Sequence, residues 1–195
     1  MRNHNKQPGR LKSPLEAVGN SKLKKRKYTI SAILTFLFFL GGFLTVLEIN
    51  IYRNTFIVWS IPTAIWISTG FLFTPLTLTL LRENFDSAGI FPKVVYNIVT
   101  FGGIICYIFM ALNYHFPIGS EKVYQVEIMK TGTLAKGKRK SSCASPYALV
   151  RFKGKEKELI FPCGFELGNY KSVRLTVVTG LLGFDIIREK TAIVF

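Results

Sequence analysis

Histidine and acidic residues are scarce in this chain: two histidines and eleven Asp or Glu in 195 residues. Hydrolytic and acid/base chemistry needs ionisable groups that converge, so the shortage narrows the field before any motif is sought. Paired CxxC metal spacings, phosphate-cradling glycine patterns and GxSxG elbows are absent. Cys163 with its neighbour Glu166 is the one nucleophile-acid pairing that can be written down, and no histidine lies near it in the sequence. No catalytic residue, metal ligand or cofactor is therefore expected.

Charge is missing in a second, more informative way. Three long blocks carry none at all: Tyr28 to Leu47, Asn54 to Leu81, and Val94 to Ser120. As a helix the first extends roughly 30 Å, the thickness of a bilayer's hydrocarbon core, and the other two are longer. Buried helices of a soluble protein keep a polar face, which these blocks lack. With 49% apolar residues and 14% aromatics, the composition agrees. We therefore expect three transmembrane helices, at about residues 28–47, 56–80 and 95–114. No small-x-small site follows the first block, so a cleaved signal peptide is not expected there.

What charge there is has a direction. The segment before residue 28 holds nine Lys or Arg and a single acid, Glu16. The connection Glu48 to Arg53 has one basic residue and Arg82 to Lys93 has two. Short basic segments stay on the cytoplasmic side during insertion, so the N-terminus is expected inside. Three spans then place residues 121–195 outside, periplasmic or extracellular, with the protein multi-pass in the plasma (inner) membrane. That part carries fourteen basic residues against seven acids, but it exceeds the length over which the charge rule operates.

Residues 1–27, with Pro8, Gly9, Pro14 and Gly19 among many charges, are expected to be a disordered cytoplasmic tail. The run Lys22 to Lys27 resembles a nucleic-acid patch, yet beside a span it is more simply a topology anchor that attracts anionic lipid headgroups. No nucleic-acid partner is expected.

Helices pack in lipid through small residues. Ser60, Ala64 and Ser68 recur every four positions on the second span, and Gly41, Gly42, Gly102 and Gly103 offer close-approach points on the first and third. Both a compact bundle and contact with another membrane subunit, or with a second copy of the chain, follow from that pattern. Pro62 and Pro75 permit kinks, but the groups expected at membrane depth are neutral, such as Asn97, which disfavours a transporter acting alone.

Beyond residue 120 the pattern changes to alternation. Tyr124, Val126 and Ile128 alternate with Gln125 and Glu127, and Val173, Leu175 and Val177 with Arg174 and Thr176, as half-buried strands do. Ala148 to Phe152 and Glu158 to Phe161 flank Lys153 to Lys157 as a hairpin. Five or six strands point to a small antiparallel β domain, barrel or sandwich, following the transmembrane α region. Cys143 and Cys163 both lie in it. A disulfide there would add about 3 kcal/mol in the chain-entropy model; two free buried thiols are the alternative, and the sequence leaves both open. Lys136, Lys138, Arg139 and Lys140 crowd one loop, which suits an anion or an acidic partner, or simply keeps a hairpin soluble.

The function these features suggest is a non-enzymatic subunit or accessory component of a membrane complex, with a partner-binding β domain. A small homo-oligomeric channel or transporter is the alternative, and a membrane-bound hydrolase or thiol enzyme a weaker one.

Overall fold

The computed structural model describes residues 14–84, 89–134 and 144–194, with side chains from residue 25 onward. Helix α1 (Pro14–Arg53) is followed by α2 (Ser60–Asn84), α3 (Ile90–Asn97), a π-helical turn (Ile98–Gly102) and α4 (Gly103–His115). The last three elements form one continuous rod, so among the described residues three helices are long and apolar enough to cross a membrane: Lys25–Arg53, Ser60–Asn84 and Ile90–His115. Their outer faces expose large apolar side chains such as Phe36, Phe39, Phe43, Phe71, Leu72 and Leu76. In water such a surface would drive association.

Helix α1 begins inside the segment expected to be a disordered tail. Residues 14 to 27 belong to α1. Pro14 stands at the first helical position, where its missing N–H costs nothing, and Leu, Glu, Ala and Lys in the following turns favour helix. The first helix also ends later than expected, at Arg53 rather than near Leu47, since Glu48 and Asn50 do not break a helix.

The three rods come closest at the π-helical turn. A Cβ on Gly41 would collide with the carbonyls of Val99 and Thr100, one on Gly70 with Ile98, and one on Gly103 with the Gly41 carbonyl. Just before the turn, the fully buried Asn97 donates from Nδ2 to the hydroxyls of Thr74 (3.2 Å) and Thr77 (2.9 Å). These hydroxyls flank Pro75, which lies inside α2 and cannot donate to the turn before it.

The β domain is a five-stranded antiparallel sheet: β1 (Lys122–Thr133), β2 (Pro146–Phe152), β3 (Lys155–Ile160), β4 (Ser172–Thr179) and β5 (Asp185–Ile193), in the order β3-β2-β1-β4-β5. It curls into a half-barrel rather than a closed barrel or a sandwich, because β3 and β5 do not pair. Bulges between Ile128 and Lys130 and between Thr176 and Val177 sharpen the bend. Val126, Val150, Leu159, Val173, Leu175 and Ile187 fill the concave face.

The β2–β3 turn is tighter than expected. Lys153 (φ 50°) and Gly154 (φ 77°) make a two-residue loop of the kind that matches strand twist, and β3 starts at Lys155 rather than Glu158. After β4 the described residues add one strand, β5.

Candidate functional site

The open side of the half-barrel is closed by the connection between α1 and α2. Thr55 Oγ1 turns back on the Ile51 carbonyl at 2.9 Å and helps end α1. The chain then runs extended along β5: the Phe56 N–H donates to Asp185 O at 2.7 Å, and the Ile187 N–H to Asn54 O at 2.8 Å. Phe56 enters the β core and packs on Phe152, ring centroids 4.7 Å apart.

From the opposite edge, β3 supplies two lysines. Lys155 Nζ donates to Phe56 O at 3.2 Å, and Lys157 Nζ to Tyr52 O at 2.6 Å. The Tyr52 carbonyl lies in the last turn of α1, where the helix dipole favours a cation, and the Phe56 carbonyl lies in the extended connection beyond it. Burial pushes the Lys157 ammonium down to about 8, partly offset by the nearby Glu158 carboxylate. Burial, with the like charge of Arg53, also lowers Lys190.

A second anchor lies at the end of α4. Asn113 is buried, and its Oδ1 accepts from the N–H groups of Leu182 (3.1 Å) and Phe184 (3.3 Å) while its Nδ2 donates to Phe184 O at 3.2 Å. Gly180 lies so close to Asn113 that a Cβ there would strike its carbonyl. The β domain is thus seated on the helix ends at two independent points.

Beneath this seam a cavity of about 200 Å³ opens between the helices, lined by Glu48, Tyr52, Trp59, Pro62, Trp66 and Cys106 among others. Cys106 Sγ lies 3.0 Å from Glu48 Oε1 and 3.3 Å from Pro62 O. The Trp66 Nε1 is buried and has no hydrogen-bond partner among the described residues. A carboxylate among aromatic rings is a setting that suits a cationic group. Among the described residues no three His, Cys, Asp or Glu side chains cluster as metal ligands would.

No family model, curated protein or solved structure matches this chain.

The residues singled out from sequence scatter. Gly41, Gly102 and Gly103 lie at helix contacts, Gly102 against the Trp66 carbonyl, while Gly42 has only Val99 Cγ1 within reach at 4.0 Å. Ser60, Ala64 and Ser68 are exposed on the outside of α2, not packed within the bundle. Cys163 is held in a disulfide and Cys106 is a free buried thiol. Cys143 and the basic positions Lys136, Lys138, Arg139 and Lys140 lie outside the described residues.

Sequence reading missed Asn113, Lys155, Lys157 and Phe56, because each acts on a partner far away in the chain. From sequence alone Glu48 reads as a loop residue. Its position within reach of the third span was hidden by Asn50 and Arg53, which resemble the polar end of a helix.

Proposed function

We propose that this chain is an integral membrane protein without catalytic activity of its own, a subunit or accessory component of a membrane complex whose β domain binds the partner. The observation that carries this reading is the seam. Four contacts from distant parts of the chain, at Phe56, Asn113, Lys155 and Lys157, hold the β domain at one height and angle over the helix ends. A domain so seated presents a fixed surface, and little ordering entropy is lost when that surface is engaged.

The seam also supports the orientation. The connection at residues 54–59 and the β domain share one end of the bundle, and the basic segment before residue 28 shares the other with Arg82 and Lys93. The excess of short-segment Lys and Arg favours that second end as cytoplasmic. The β domain is then periplasmic or extracellular, on the outer side of the plasma (inner) membrane, where the disulfide at Cys163 would persist. The same disulfide speaks against a thiol enzyme built on Cys163.

Self-association is the second reading, favoured by the exposed stripe of Ser60, Ala64 and Ser68, which suits close packing of a second helix in lipid. Chemical crosslinking in native membranes, read by mass spectrometry on the tagged full-length chain, separates the two. Crosslinks from the exposed Lys130 and Lys171 to a different protein support a subunit. Links to a second copy alone replace it with the homo-oligomer.

A further inference from the structure

Lys93 is 6% exposed, and among the described residues it has no hydrogen-bond or ion-pair partner. Its stem is buried while its ammonium, which is not among the side-chain atoms closed off without a partner, is left at the groove wall, so an unpaired lysine at the end of a span marks a place where something of opposite charge belongs. Its setting adds to the demand. Lys93 lies in the first turn of α3, where the helix dipole is positive and where, among the described residues, no side chain caps the free N–H groups after Gly89.

The space beside it is shaped for more than a bare ion. A groove of about 480 Å³ runs past Lys93 between Thr35 and Phe38 of α1, Leu81 of α2, and Phe91 and Tyr96 of the third rod. Apart from Lys93, its walls are almost wholly aliphatic and aromatic. Water or free phosphate would gain nothing from them, whereas an acyl chain would. At the same end of the bundle three cations, Arg26, Lys27 and Arg82, outnumber the acid Glu83 in the lining of a separate depression, which would raise the local concentration of anionic headgroups.

We propose that this groove is a binding site for an anionic phospholipid of the cytoplasmic leaflet, with the phosphate against the Lys93 ammonium and the α3 amides, and the start of one acyl chain along Phe38, Leu81 and Phe91. The assignment rests on the reading that the chain spans a membrane. A charge-assisted phosphate contact in a site shielded from water is worth about tenfold or more in affinity.

The test is native mass spectrometry of the full-length protein, released from detergent after exposure to equal amounts of phosphatidylglycerol and phosphatidylcholine with matched chains. Both headgroups carry the phosphate, but the choline cation of phosphatidylcholine is repelled by the Lys93 ammonium, so wild type is expected to retain phosphatidylglycerol about tenfold over phosphatidylcholine. Lys93→Gln should lose that preference and Lys93→Arg keep it, while replacing Arg26, Lys27 and Arg82 together by Gln leaves the tightly held lipid in place. Inorganic phosphate should not displace it.

Equal retention of the two lipids by wild type overturns the site whatever the variants do. So does an unchanged preference in a folded Lys93→Gln protein, loss of the preference only when the surface cluster is replaced, or displacement by phosphate. Alkaline carbonate extraction is run alongside. A chain released by carbonate overturns both the membrane reading and the lipid site, whereas one that stays in the membrane without a lipid preference overturns the lipid site alone.

Discussion

The Lys157 ammonium lies 3.8 Å from the centroid of the Tyr52 ring and donates to the Tyr52 carbonyl at 2.6 Å. These residues are 105 positions apart, and their contact ties the sheet edge to the last turn of α1. The ring and the carbonyl both favour the charged lysine, whereas its burial does not.

That opposition has a consequence for pH. Folding lowers Lys157 from the usual 10.5 to about 8, so between those values the unfolded chain binds a proton that the folded chain does not. Stability therefore rises as pH increases through this window, and the lowered Lys190 adds in the same direction. Below about pH 8 both states hold the Lys157 proton and its contribution to the slope vanishes. Denaturant titrations of the purified protein from pH 7 to 10 should show the rise, with a flatter profile for Lys157→Met.

Asn113 answers for two backbone donors of the β4–β5 turn, Leu182 N–H and Phe184 N–H. Replacing it with Leu strands both, at about 2–3 kcal/mol. Phe56→Ala should cost more, about 3–5 kcal/mol, by emptying part of the β core. In either variant limited proteolysis of membranes is expected to cut the β domain faster, while the helices remain protected.

Neighbouring glycines on α1 make an internal control. Gly41→Ala forces a Cβ into the Val99 and Thr100 carbonyls and should destabilise the bundle by about 1–3 kcal/mol. Gly42→Ala meets nothing closer than 4.0 Å and should leave thermal unfolding in detergent near the wild-type value.

Of the three cysteines, Cys106 is free and Cys163 is not. Labelling of the denatured, unreduced protein should find one thiol per chain and three after reduction. A crosslinked peptide joining Cys163 to Cys143 is the expected product of non-reducing digestion. Full labelling of both without reductant would remove the disulfide and with it one support for an extracytoplasmic β domain.

Much of the architecture was legible residue by residue because its causes are local. A long apolar run without charge favours a helix long enough for a bilayer, and strict alternation favours a half-buried strand. Boundaries were less legible, since Glu48 and Lys155 fit either a loop or the element beside it.

By itself the sequence determined the three apolar helices, the β-rich unit after them and the glycines that let helices touch, since spacing and composition carry those. Only the tertiary structure decided that the half-barrel is closed by Phe56, that Asn113, Lys155 and Lys157 seat it on the helices, that Glu48 meets Cys106, and that Lys93 lines the groove with no partner among the described residues. Each of these depends on which distant segments become neighbours. That choice is made by the packing energy of the whole chain, not by any pattern along it.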